Sequence, residues 1–135
     1  MIFYAVRHGQ TDWNALGRVC GRTDLPLNAE GERQARQTAG SLRGLAIERI
    51  VCSPLLRARQ TADFAAQALG LPVRVDARLI EQDYRRPGNQ ETEHLHFVFH
   101  TVGIPLDQAM PVLRFDLYHI EILVDGFVLR ARPLV

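Results

Sequence analysis

An arginine, a histidine and a glycine stand side by side at positions 7–9, directly behind the apolar run IFYAV of residues 2–6. A neutral imidazole at the end of a buried strand can attack an electrophile, and an adjacent guanidinium offers a planar fork of donors to phosphate or carboxylate oxygens. Gly9 lets backbone N–H groups come close to an anion, and Gln10, Thr11 and Asn14 add neutral donors immediately after it. A histidine beside an arginine at a strand end is more often structural than chemical. The density of donors that follows exceeds what turn formation requires, and it points to an anionic ligand.

Composition narrows that ligand. The 135 residues include 16 basic side chains, all of them arginine, against 15 acidic ones, for a formal charge of +1. This balance offers no broad basic field to nucleic acid, so a small phosphorylated metabolite or inorganic phosphate is the expected partner. Length and a hydrophobic content of 47% predict one soluble domain over residues 1–135. No apolar run approaches the ~18 to 20 residues that a bilayer span needs, and MIFYAVRHG has neither a basic leader nor a cleavage site. No membrane association and a cytoplasmic location are therefore expected. Cys20 and Cys52 read as reduced thiols in small core or half-buried positions.

The elements that must position the Arg-His pair follow from periodicity. Residues 2–6 read as a buried strand that ends in a polar loop. Asn28 caps a helix with Ala35, Ala39 and Leu42 three and four apart, ended near Gly44. Residues 47–52 form a second strand, Ser53-Pro54 a helix start, and 56–69 a helix stopped by Gly70, before a third strand at 71–75. Strand, helix, strand, helix, strand is the order of an α/β fold with crossover helices, whose ligands bind at the carboxyl ends of the strands. His8 and Ser53 both stand at such ends. Residues 83–93 read as a loop or lid. Segments 110–115 and 119–124 read as strands, and Asp125-Gly126 as a hairpin turn before 127–129. Trp13 reads as a partly buried loop anchor.

Three blocks, RHGQTDWN at 7–14, GRTDLPLNAEGERQA at 21–35 and CSPLLRARQTA at 52–62, resemble the histidine phosphatase superfamily, which includes cofactor-dependent phosphoglycerate mutases and alpha-ribazole phosphatases. The blocks occur in the family's order and at its element boundaries. The resemblance implies a three-layer αβα sandwich with a mostly parallel central sheet, phosphoglycerate mutase-like, and a phosphohistidine mechanism. On this resemblance His8 matches the phosphate-accepting nucleophile, Arg7 and Arg57 the two phosphate-clamping arginines, and Asn14 a phosphate-contacting asparagine. Gly9, Gln10, Thr11 and Gly21 complete the expected phosphate-binding set. In-line transfer to imidazole needs positive charge on the equatorial oxygens and a proton donor for the leaving oxygen. LIEQDY at 79–84 looks like the family segment that holds the general acid, with Glu81 at the matching place. As an acid it has to keep its proton near neutral pH, which burial or a nearby phosphate favours. A solvated loop carboxylate is the other reading of Glu81.

Beyond residue 83 the pattern breaks. Family members are longer and carry a lid, a further strand and a second catalytic histidine followed by glycine before the tail. Here residues 83–102 stand for all of that, and no His-Gly dipeptide follows residue 9. GIPLDQAMPVLRFDLYHIEILVDG at 103–126 again resembles the family's C-terminal connection and final hairpin, so the chain reads as a truncated member with an internal deletion. Two registers compete for LHFVFHTVGIP. If 95–99 is the last central strand, His100 stands at its carboxyl end in the place of the second imidazole, with Thr101 for the usual glycine. If the segment ends a helix, that place falls near Gln90. His94, His96 and His100 share no single face of a regular element, so a metal site is not expected.

Two functions follow. The first is a phosphatase or phosphoglycerate-mutase-like transfer from a small phosphomonoester through phosphorylated His8, with no metal or organic cofactor required for the phosphatase route. The second is a catalytically impaired phosphate-binding or interaction protein. A sheet short of one strand exposes edges, so a homo-oligomer is expected.

Overall fold

A computed structural model describes residues 2–80, 112–116 and 126–131, with residues 2, 3 and the two later segments as backbone alone. The elements run β1 (Ile2–Arg7), α1 (Asp12–Ala15), α2 (Ala29–Leu42), β2 (Ile47–Cys52), α3 (Leu56–Leu69), β3 (Val73–Val75), a 3₁₀ turn at Ala77–Leu79, β4 (Val112–Asp116) and β5 (Gly126–Ala131). The α/β alternation of the first half is as the sequence predicts. The short helix α1 and the 3₁₀ turn are additions, both too brief to leave a periodic signal.

The described strands form one sheet in the order β3-β2-β5-β1-β4. β2 and β3 pair in parallel, whereas β5 runs antiparallel to both β1 and β2, and β4 antiparallel to β1. Thus β1, β2 and β3 share one direction, and the crossover from β1 to β2 passes over the slot that β5 fills. Both crossovers step toward the same edge. With right-handed connections, that places α2 and α3 on one face, where they pack on each other and α3 lies on β2, β3 and β5. A helical layer on the opposite face falls outside the described residues. Gly126, expected in a hairpin turn, instead opens β5 opposite Arg7. The turn signal is local, and ladder pairing with β1 decides otherwise; the expected strand at 119–124 lies outside the described residues.

The core explains why these elements meet. Val6, Ile50 and Cys52 from the sheet join Leu42 of α2 and Ala62 and Ala65 of α3. Ala35 and Ala39 on α2, and Ala58, Ala62 and Ala65 on α3, are buried, and their small side chains let the helices approach closely. At the rim, the Arg36 guanidinium lies 5.0 Å from the centroid of the Phe64 ring, a cation–π contact between the helices. Asn28 caps α2 by accepting the Gly31 N–H at 2.8 Å, and Gly70, at φ 66°, stops α3.

α3 begins two residues later than a Pro54 start predicts, and Leu55 at its N-cap has no side chain that can cap. The cap comes from elsewhere in the chain: the Asp24 carboxylate accepts the Leu56 N–H at 2.7 Å. The loop after β1 and the first turn of α2 touch backbone to backbone. A Cβ on Gly9 would lie 2.4 Å from the Gly31 carbonyl oxygen, and one on Gly31 would lie 2.1 Å from the Gln10 carbonyl oxygen. Gly31→Ala should accordingly destabilise the chain by about 3 kcal/mol in a denaturant titration. Gly40→Ala is the matched control: it lies within α2 with nothing within 4 Å of its would-be Cβ, so it should stabilise by up to about 1 kcal/mol.

Candidate functional site

The site grows from the carboxyl end of β1. His8 is buried, and its Nδ1 lies 2.6 Å from the Gly9 carbonyl oxygen. A carbonyl can only accept, so Nδ1 carries the proton and Nε2 the lone pair in the neutral ring. Arg7 precedes it, half-buried and, among the described residues, without a side-chain hydrogen bond or ion pair.

Backbone donors of the next three residues turn inward. The Gly9 N–H donates to Thr61 Oγ1 at 3.0 Å, the Gln10 N–H to Gln34 Oε1 at 3.0 Å, and the Thr11 N–H to Asn14 Oδ1 at 3.0 Å. The sequence reading has Gly9 bring loop N–H groups to an anion; in the structure these three groups have protein partners, and glycine at position 9 also answers to the close approach of Gly31. Three of the polar groups of Gln10 are bound within the protein: besides its N–H, its carbonyl accepts the Asn28 N–H at 3.0 Å, and its Oε1 accepts from Asn28 Nδ2 at 3.0 Å.

Thr11 and Asn14, expected as phosphate contacts, form the capping box of α1. The Thr11 hydroxyl donates to Asn14 Oδ1 at 2.9 Å and accepts the Asn14 N–H at 3.2 Å. Cys20 closes the group, with its Sγ 3.2 Å from Thr11 Oγ1 and accepting from Asn14 Nδ2 at 3.4 Å. Since the Thr11 proton is directed to Asn14, the thiol proton points to Thr11 Oγ1. Thr11 is fully buried and Asn14 half-buried, so of the two only Asn14 keeps an accessible edge.

Arg57 comes from the first turn of α3 and is fully buried. Its two terminal nitrogens donate to the carbonyls of Thr23 at 2.7 Å and Gly21 at 2.6 Å. The guanidinium therefore anchors the loop 21–24, and Gly21 meets it through its carbonyl, at φ 51°. Gln60 Oε1 accepts the Leu27 N–H at 2.8 Å, which with the Asp24 cap ties the whole loop to α3. Glu81 and His100 lie outside the described residues, as do His94, His96 and the place near Gln90.

A family model for the histidine phosphatase superfamily (branch 1) matches residues 3–97. The chain belongs to that superfamily. Among curated relatives, the probable phosphoglycerate mutase GpmB of Citrobacter koseri is 51% identical over 80 residues, 59% of this chain and 37% of its own length. The Klebsiella pneumoniae protein of the same name aligns with equal identity and coverage. Among solved structures, a mycobacterial glucosyl-3-phosphoglycerate phosphatase in complex with VO3 superposes at a TM-score of 0.58 and 41% identity, over 59% of this chain and 40% of that one. Phosphoserine phosphatase from Entamoeba histolytica, in complex with 3-phosphoglyceric acid, gives 0.57 and 30% over 78% and 55%. The histidine phosphatase chain described here thus spans well under half the length of the curated relatives it matches, and shares the phosphoglycerate mutase-like α/β fold with its structural neighbours.

Several side chains that build the site carried no signal of their own in the sequence. Thr61, Gln34, Gln60, Asp24 and Cys20 act across 9 to 52 positions of chain, and no local periodicity registers such a contact. Cys52 is the second buried thiol. Burial pushes it up to about 11, with Asp63 adding to the rise and Arg59 opposing it. A thiol whose value is higher folded than unfolded stabilises the fold below its ordinary value of 9.0 and loses that contribution as pH climbs through 11. Melting temperature should therefore fall between pH 9 and 11, and Cys52→Ala should flatten that slope. In the native chain at neutral pH, iodoacetamide should leave Cys52 unmodified.

Proposed function

We propose that this chain transfers the phosphoryl group of a small phosphomonoester through phosphorylated His8. The observation that carries the reading is the bond from His8 Nδ1 to the Gly9 carbonyl, which leaves Nε2 as the attacking nitrogen at the strand end beside Arg7. Nε2 attacks phosphorus, and the bond from phosphorus to the ester oxygen breaks. The leaving oxygen takes a proton from a general acid, the role the family resemblance assigns to Glu81. Water then hydrolyses the phosphorus–nitrogen bond, as in a phosphatase, or a second substrate hydroxyl takes the group, as in a mutase. Arg7 supplies charge to the equatorial oxygens. Arg57, through the loop 21–24 that it anchors, shapes the wall around them. The names of the relatives support a phosphoglycerate-type or similarly small substrate; alpha-ribazole phosphate stays within that class. The reading includes one domain over residues 1–135, a cytoplasmic setting, and self-association through β3 and β4, the edge strands of the described sheet.

A second reading, an anion binder without complete acid/base chemistry, draws on β5. That strand fills the slot between β1 and β2 and runs antiparallel to both, with Gly126 opposite Arg7 and Phe127 opposite Cys52. The slot presents an amino-terminal strand end beside His8, where a parallel strand would bring a carboxyl-end loop and its side chains.

Incubation with radiolabelled 3-phosphoglycerate, followed by mapping of the label, separates the readings. The enzyme reading expects acid-labile label on His8 that His8→Ala abolishes, and equal labelling of the His8→Ala protein would defeat it. Vanadate should raise the melting temperature in either case. Stabilisation by vanadate with no label at all would favour the binder. The two arginines should also part company. Arg7→Ala should weaken the vanadate shift and leave the free protein close to wild-type stability. Arg57→Ala should weaken the shift and also destabilise the free protein by about 3 kcal/mol, since the buried Gly21 carbonyl and the half-buried Thr23 carbonyl lose a charged donor.

A further inference from the structure

Two peptide planes meet at Gly9, and each is pinned by a side chain from a different helix. The plane between His8 and Gly9 is fixed by its N–H, which donates to Thr61 Oγ1 on α3 at 3.0 Å. Thr61 is oriented for this by its own helix. Its hydroxyl proton goes to the Arg57 carbonyl at 2.7 Å, which leaves the oxygen lone pairs for Gly9. The plane between Gly9 and Gln10 is fixed by the Gln10 N–H, which donates to Gln34 Oε1 on α2 at 3.0 Å. Gln34 cannot turn its amide over without loss, because its Nε2 donates to Glu30 Oε1 at 3.4 Å. In a trans peptide the N–H and C=O point in opposite directions. Holding the Gln10 N–H on Gln34 therefore aims the Gly9 carbonyl away from α2, and that carbonyl is the one that takes the His8 Nδ1 proton at 2.6 Å.

Glycine at position 9 makes this pinning necessary. The contact with Gly31 excludes a Cβ there, and a residue without a Cβ has the widest choice of φ and ψ. Without the two side-chain acceptors, the Gly9 carbonyl could rotate away and the imidazole proton could move to Nε2.

We infer that Gln34 and Thr61 are positioning residues for His8: by fixing the planes on either side of Gly9 they set the ring's tautomer and keep Nε2 as its lone-pair nitrogen. The inference extends the nucleophilic reading of His8 but is measured independently of it. Histidine labelled with a heavy nitrogen isotope in the full chain, with the His8 signals identified by their loss in His8→Ala, reports the tautomer from the two ring-nitrogen shifts. Wild-type His8 should carry its proton on Nδ1. Gln34→Met and Thr61→Val, which keep volume and remove the acceptor, should show a mixture with protonated Nε2. Both should also slow phosphoryl transfer from p-nitrophenyl phosphate by about a hundredfold, the effect of a misaligned reacting group. Thr61→Ser, which keeps the acceptor oxygen, should leave both readouts close to wild type. A wild-type ring protonated on Nε2 overturns the inference whether or not any variant folds. So does an unchanged tautomer in Gln34→Met, a substitution on a half-exposed helix position, with its thermal transition intact. An Nδ1-protonated ring that shifts in both variants but never takes up phosphate upholds the positioning role and removes the nucleophilic reading.

Discussion

The backbone of residues 9 and 10 runs so close to the first turn of α2 that neither side has room for a Cβ. Gly9 meets the carbonyl of Gly31, and Gly31 meets the backbone of Gln10. Everything else at the site depends on that approach. It brings Asn28, Gln34 and the amino end of α2 within hydrogen-bonding reach of Gln10, and it sets the turn in which the His8 ring meets the Gly9 carbonyl. Backbone packed this tightly has little room to shift, and the Thr61 and Gln34 acceptors fix the peptide planes within it. That rigidity suits a nucleophile, whose position must be defined to within a fraction of an ångström before a reaction begins.

Arg57 does the corresponding work on the other side. A guanidinium buried without partners would be strongly unfavourable, and here main-chain carbonyls of Gly21 and Thr23 accept from it. Its charge stays inside the fold while its donors organise a loop that has no regular structure of its own. Asp24 and Gln60 complete the attachment by joining that loop to α3, the first as a cap that Leu55 cannot supply. The exposed ion pairs Glu30–Arg33 and Glu32–Arg36 on α2 contribute far less, because water screens them.

The sheet shows how one strand position governs the chemistry open to a fold of this family. β1 and β2 are parallel but not adjacent, and whichever strand stands between them decides which end faces His8. β5 stands there antiparallel, with Gly126 level with Arg7. A glycine brings no functional side chain, so within the described residues the site is built from β1, the loops after it, and the amino ends of α2 and α3.

Local elements were legible in the sequence: Asn28 as a cap, the strand Ile47–Cys52, and the body of the helix Leu56–Leu69 with its stop at Gly70 appear where periodicity and end signals put them, the helix start alone lying two residues past the Pro54 signal. So was the family, because RHG, GRTDLPL and SPLLRARQTA are contiguous strings whose residue types are their own record. What those strings do to each other was not legible. Thr11 and Asn14 read as donors for an anion, yet they bond chiefly to each other and to Cys20. Arg57 read as a phosphate clamp, yet two of its donors hold carbonyls of the loop 21–24. The direction of β5 and its place between β1 and β2 left no trace in the pattern of its residues. The physical reason is the same in each case. Periodicity and capping are determined by neighbours a few positions away, which the sequence states directly, whereas a hydrogen-bond partner 52 residues distant, or a strand's neighbour in a sheet, is chosen only when the packed chain brings the two together.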